Sequence, residues 1–212
     1  MKDLFKGCWT IPNLISVIRI LLIPVFGYLF YNDEKILAVV ILAVSGLTDM
    51  FDGKIARKFN QISDLGKVLD PVADKLTQIT IAVMLFIDFK TASNPIINAL
   101  GWVFLVFLIK EAVMIVGGLI MLLLNIRPGA AEFWGKAATV VFYVGMVIII
   151  AVGPEVGALN SILNFELPNV ITGIIVVVCA IMTLAAFASY MPETFRQFKE
   201  YFDNKKAAKN SK

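Results

Sequence analysis

Six apolar stretches, each long enough to cross a bilayer as a helix, fill most of this 212-residue chain. They cover about residues 12–31, 35–53, 67–88, 96–124, 133–152 and 167–190, where a crossing needs roughly 17–25 residues. Hydrophobic side chains make up 59% of the chain, against roughly 45–50% in a soluble domain. The expectation is an all-α integral membrane protein, a bundle of six transmembrane helices. Ahead of the first span, Leu4, Phe5, Cys8 and Trp9 mixed with Lys2, Asp3 and Lys6 read as a short interfacial helix over residues 1–10. Residues 11–194 form one membrane domain on this reading. Residues 195–212, with Lys205, Lys206, Lys209 and Lys212, read as a frayed basic tail resting on the inner leaflet. The first apolar run continues past the usual signal-peptide length without a small-residue cleavage site, so no cleavable signal is expected.

Basic residues set the orientation. With the amino terminus inside, Lys2, Lys6, Lys54, Arg57, Lys58, Lys67, Arg127, Lys136 and the tail all fall on the inner side, and the outer loops keep Lys35 and Lys90. Both termini are therefore expected in the cytoplasm. Histidine is absent, so a general base must come from another residue type. Cys8 and Cys179 lie far apart, one near the inner face and one within a span, and neither a disulfide nor a thiolate metal site is expected. The formal charge of +3 makes anionic lipid headgroups acceptable neighbours, and no nucleic-acid partner is expected.

Several spans carry charge that hydrocarbon disfavours: Arg19 in the first, acidic pairs in the second and third, and Lys110-Glu111 in the fourth. These helices should face a polar cavity, because an ionised group near lipid costs several kcal/mol unless it is paired. The tandem Gly117-Gly118 suggests close helix approach.

The densest such cluster is the peptide from Asp49 to Asp74, which holds five aspartates. Asp49 and Asp52 are three apart and Asp70 and Asp74 four apart, so each pair shares one helix face about a turn apart and has the spacing to grip a cation. Asp64 lies in the polar turn between them and reads as a helix cap or a solvated residue. Hard divalent cations prefer carboxylate and phosphate oxygens, and four carboxylates balance two such ions, here Mg²⁺ or Mn²⁺. Gly53 and Gly66 remove side chains where a nucleotide's contacts must come close, Ala56 keeps the same surface low, and Arg57 offers a fork of donors to a phosphate. A solvated, merely positive-inside loop would explain neither the helical carboxylate pairs nor the glycines.

The full spacing is Asp, two residues, Asp-Gly, two residues, Ala-Arg, eight residues, Gly, three residues, Asp, three residues, Asp. It resembles, position for position, the signature of the CDP-alcohol phosphotransferase family of membrane phospholipid synthases. That resemblance implies that Asp49, Asp52 and Asp70 are metal ligands and that Asp74 is a ligand which also takes the proton from the acceptor hydroxyl. It implies that Gly53, Ala56, Arg57 and Gly66 hold the CDP moiety, that an alcohol attacks the phosphorus of CDP-diacylglycerol and expels CMP, and that the protein is a homodimer with its active site open to the cytoplasmic leaflet.

Within the family, Ile11-Pro12-Asn13-Leu14-Ile15-Ser16-Val17-Ile18-Arg19 and Asp70-Pro-Val-Ala-Asp-Lys-Leu76 look like bacterial phosphatidylglycerophosphate synthases, which implies a bacterial cell membrane and glycerol 3-phosphate as acceptor. Asn13, Ser16 and Arg19 recur every three residues and share a face able to border the nucleotide. Asn13 as a helix cap and Arg19 as a snorkelling residue are the plainer alternatives, although Arg19 lies about 12 Å into the span at 1.5 Å per residue. Arg19, Lys110, Arg127 and Lys136 are the candidates for the acceptor's phosphate. Lys110 and Glu111 are adjacent and should not face each other, so each needs a partner elsewhere, a motif carboxylate being the obvious one for Lys110. The chain departs from those synthases in having Lys110 where they commonly have Arg, and Ala138 where they commonly have a second Lys. That leaves room for another alcohol: phosphatidylglycerol, as in a cardiolipin synthase of this type, or inositol phosphate or serine. A cation transporter would also place carboxylates in the membrane, but near its midplane rather than at helix ends.

Overall fold

A computed structural model of the chain describes residues 10–58, 66–124, 126 and 133–210. Among these residues the chain is entirely helical: α1 (Ile11–Tyr31), α2 (Lys35–Lys58), α3 (Gly66–Thr91), α4 (Pro95–Leu123), α5 (Phe133–Val152), the single turn α6 (Asn160–Leu163) and α7 (Asn169–Asn210). The expected interfacial helix, Asp64 with its turn, and Arg127 lie outside the described residues.

Local chemistry explains the helix ends. The Asn13 N–H donates to Thr10 Oγ1 at 3.3 Å, so Thr10 rather than Asn13 caps α1, with Pro12 placed in the first turn where its missing N–H does no harm. Asn94 Oδ1 accepts from Ile96 N–H at 2.9 Å and caps α4 ahead of Pro95. Asp33 takes a left-handed φ of 63° and turns the chain from α1 into α2.

Helix contacts close a circuit. α1 packs on α2 and α3, α3 on α4, α4 on α7, α7 on α5, and α5 on α2. The interior is apolar and aromatic: Phe26, Leu42, Ile81, Leu85, Phe89, Phe104, Phe142, Met146 and Val176 are all buried. Phe89 and Phe104 meet edge to face at 5.2 Å, as do Phe107 and Phe142, which ties α3, α4 and α5 together. Where α5 meets α7, a Cβ on Gly145 would stand 2.7 Å from Cys179 Sγ, and one on Gly135 would stand 2.3 Å from the Tyr190 hydroxyl. A side chain at either crossing would force its neighbour on α7 to shift. Gly117 and Gly118 instead have open space where a side chain would go, which corrects the expectation that they mark a close approach within this chain.

Outward faces are apolar as well. Val106, Ile109, Val113 and Val116 on α4 and Ile174, Val177 and Ile181 on α7 are exposed, the pattern of helices solvated by lipid rather than water. Among the described residues four segments are long and apolar enough to cross a membrane: Ile11–Tyr31, Pro95–Met121, Trp134–Val152 and Asn169–Asp203. The six expected spans all coincide with long helices, but α2 and α3 fall short of that measure. Charged residues along α3 dilute it, and the described side chains of α2 form the shorter apolar stretch Lys35–Thr48. The expected frayed tail is also corrected. α7 runs unbroken for 42 residues to Asn210, through Pro192, and the pairs Glu193–Arg196, Glu193–Gln197 and Arg196–Glu200 support the helix beyond the proline.

Candidate active site

Short connections join α1 to α2 and α3 to α4, which pack as neighbours, and bonds from Ser16 of α1 to Asp70 of α3, Lys75 of α3 to Glu111 of α4 and Tyr143 of α5 to Asp74 of α3 gather these segments at the start of α3. The motif residues fall there. Asp49, Asp52, Gly53, Ala56 and Arg57 belong to the last turns of α2, where the backbone is helical and the side chains lie outside the described residues. Gly66 opens α3 and is buried. Asp70 and Asp74 follow one turn apart on α3.

The face of α1 carrying Asn13, Ser16 and Arg19 turns inward. These residues are 4%, 0% and 2% exposed, which removes snorkelling as an account of Arg19. Ser16 Oγ donates to Asp70 Oδ1 and also lies 3.0 Å from the Pro12 carbonyl. A hydroxyl has one proton, and the carboxylate is the stronger acceptor, so Ser16 fixes the Asp70 rotamer through a charge-assisted bond.

Asp74 is held from two sides. Gln78 Nε2, one turn further along α3, donates to Oδ2 at 2.9 Å, and the Tyr143 hydroxyl from α5 donates to Oδ1 at 3.2 Å. Both donors escaped the sequence reading: Gln78 had a signal in its i, i+4 spacing from Asp74, whereas Tyr143 sits in an apolar run with no motif around it.

The acceptor candidates divide. Lys110 and Glu111 do pair, contrary to the expectation that adjacent residues look apart, because Lys110 Nζ reaches round the helix to Glu111 Oε1. Glu111 is 3% exposed, and its other oxygen takes Lys75 Nζ of α3 at 2.5 Å. Lys110 therefore finds its carboxylate in its own neighbour rather than in a motif aspartate. Lys136 is exposed at the start of α5 and makes no ion pair among the described residues.

Asp70 and Asp74 suit a hard divalent cation in chemistry, since both are carboxylates on one helix face and each accepts from a neutral donor that helps to orient it.

The family model for CDP-alcohol phosphatidyltransferases matches residues 9–185, nearly all of the helical bundle. The chain belongs to this family. Along its length it is similar to the CDP-diacylglycerol--glycerol-3-phosphate 3-phosphatidyltransferase of Aquifex aeolicus, 28% identical over 191 residues that make up 90% of this chain and 99% of that protein. It is also similar to the human cardiolipin synthase (CMP-forming), 50% identical over 75 residues, 35% of this chain and 25% of the human protein. With the cardiolipin synthase of Streptomyces coelicolor it shares 38% identity over 136 residues, 61% of this chain and 60% of the relative. The chain thus spans about a quarter of the human relative's length, about three-fifths of the Streptomyces one's and nearly all of the Aquifex one's. This member of the CDP-alcohol phosphatidyltransferases is an all-helical integral membrane protein, with its motif at one end of the bundle.

Proposed function

We propose that the protein transfers the phosphatidyl group of CDP-diacylglycerol to glycerol 3-phosphate, giving phosphatidylglycerophosphate and CMP. The observation that carries the reading is the near end-to-end correspondence with the Aquifex synthase, on a chain that holds every position of the motif.

On this reading Asp49, Asp52, Asp70 and Asp74 hold two Mg²⁺ or Mn²⁺ ions. Such ions, when bound, neutralise the pyrophosphate and make its phosphorus more electrophilic. The acceptor hydroxyl oxygen bonds to the phosphorus that carries diacylglycerol, the bond from that phosphorus to the CMP oxygen breaks, and CMP leaves with the electron pair. Asp74 takes the hydroxyl proton. Its two donors, Gln78 and Tyr143, keep the carboxylate from rotating away as the proton arrives, and Ser16 does the same for Asp70. Gly53, Ala56, Gly66 and the Arg57 fork bind the CDP group, with Asn13 and Ser16 on its other side. Arg19, Lys110, Arg127 and Lys136 remain the cations for the acceptor.

The same reading has α2 and α3 cross the membrane with the four more apolar helices, making six spans. Positive residues then put both termini and the motif on the cytoplasmic side of a bacterial membrane, where the diacylglycerol tails stay in the bilayer as the headgroup reaches the site. Residues 1–10 lie at the interface, and two copies associate as a homodimer.

A second reading keeps the chemistry and changes the alcohol. Identity to cardiolipin synthases is higher, although over shorter segments, which favours phosphatidylglycerol as the alternative acceptor. Purified protein with CDP-diacylglycerol and Mg²⁺ should release CMP when glycerol 3-phosphate is added. Release that responds to phosphatidylglycerol, inositol phosphate or serine instead would replace the acceptor and keep the donor.

A further inference from the structure

The Lys75–Glu111–Lys110 cluster is not a simple structural ion pair. One carboxylate bonds two ammonium groups from two helices, and the next carboxylate along, Asp74, is the one the proposed reaction gives to the metal ions, so two lysines share a single dedicated counter-charge. The carboxylate is also behind the cations: the Glu111 side chain is 4% exposed, while those of Lys75 and Lys110 are 27% and 13% exposed. Each ammonium has three N–H donors and spends one on Glu111. Among the described residues the others have no partner. A buried carboxylate backing two open cations costs desolvation energy that a one-to-one pair would avoid, and the cost is offset when an anion completes the cluster. Lys75 follows Asp74 in the chain, and Asp74 lies within electrostatic reach of Lys110. An anion held by these donors would thus lie on the same stretch of α3 as the group that receives the acceptor's proton.

We propose that Glu111 is a positioning residue that holds the Lys75 and Lys110 ammonium groups as one fixed pair, and that this pair takes a phosphate oxyanion of the acceptor. The inference rests on the acceptor side of the reaction above. Two acceptors share this chemistry, because glycerol 3-phosphate carries a free phosphate and phosphatidylglycerol a phosphodiester. Glu111 touches neither. Without its charge, the lysines repel one another and lose their common anchor.

The test reads binding as well as turnover. Thermal stabilisation of the full-length protein in detergent is titrated with glycerol 3-phosphate, with phosphatidylglycerol and, separately, with CDP-diacylglycerol, for wild type, Glu111→Gln and Lys75→Met/Lys110→Met. The expected result is an acceptor affinity at least about tenfold weaker in Glu111→Gln with CDP-diacylglycerol affinity within about twofold, and a matching rise in acceptor KM with little change in kcat. In the background of the two methionines, Glu111→Gln should cost no further acceptor affinity, which separates action through the lysines from a general packing role. Stabilisation by phosphatidylglycerol alone, lost in Glu111→Gln, upholds the inference and removes glycerol 3-phosphate from the proposed reaction. Unchanged acceptor affinity in Glu111→Gln, equal losses for donor and acceptor, or a wild type that binds neither phosphate would overturn it. If Glu111→Gln does not fold, the pair of methionines decides: acceptor affinity equal to wild type sinks the proposal.

Discussion

The two ends of the bundle use polar residues in opposite ways. Away from the motif, polar side chains mostly close off backbone. Glu155 accepts from Ser93 N–H at 2.8 Å and Asn94 N–H at 2.9 Å, its own N–H donates to Glu166 Oε1 at 3.0 Å, and Asn160 Nδ2 donates to the Gly153 carbonyl at 2.9 Å. Lys90, bound to Asn98 Oδ1 at 2.6 Å, covers Trp102. At the motif end, side chains instead bind side chains across helices: Ser16 to Asp70, Tyr143 to Asp74, Lys75 to Glu111. A capped loop needs no ligand to be complete. A carboxylate oriented by a neutral hydroxyl or amide gains no counter-charge from that donor, and a substrate or cation can supply it.

Substitutions that respect this contrast should separate activity from stability. The largest effect is expected at Asp74. Asp74→Asn should reduce CMP release by about a thousandfold or more, in the upper range for loss of a general base, while CDP-diacylglycerol binding largely survives; near-normal turnover would remove Asp74 as the base. Ser16→Ala should lower kcat by about tenfold through a less well-held Asp70, and a rate equal to wild type would make the Ser16 bond incidental. Tyr143→Phe should cost a few-fold in kcat with both KM values held, since Gln78 still anchors the other oxygen; a change confined to KM would place Tyr143 in substrate binding instead. At the far end, Glu155→Gln should lower the midpoint of thermal unfolding by weakening the hold on the Ser93 and Asn94 N–H groups ahead of α4, on the order of 1 kcal/mol, with kcat and both KM values unchanged. A loss of activity there, at equal folded fraction, would break the distinction between the ends.

Much of the bundle was legible because hydrophobic length is a strong signal. The fifth span was expected at 133–152 and α5 occupies those residues. The inward face of α1 was also readable from the three-residue recurrence of Asn13, Ser16 and Arg19. Pairings that depend on how helices cross were not. No local pattern says that Tyr143 on α5 will reach Asp74 on α3, and the helical rule that separates neighbours failed at Lys110-Glu111 because a lysine chain is long enough to bend round to the next residue. Gly117-Gly118 misled for a related reason. A missing side chain permits close approach without saying which partner arrives, and the approaches that occur are at Gly135 and Gly145. The far half of α7 was missed because charge was read as solvation, whereas Glu193, Arg196, Gln197 and Glu200 are spaced to bridge successive turns.

That helix has a mechanical consequence. At 1.5 Å per residue, its 42 residues span about 63 Å, roughly twice the thickness of a bilayer's hydrocarbon layer. Pro192 removes one hydrogen bond from the ladder and makes a natural pivot, and the arm from there to Asn210 is about 27 Å long. A swing of roughly 10° about the pivot would carry the tip about 5 Å, so the length of α7 would magnify any small tilt at the α5–α7 crossing, and a fluorophore near its tip would register it.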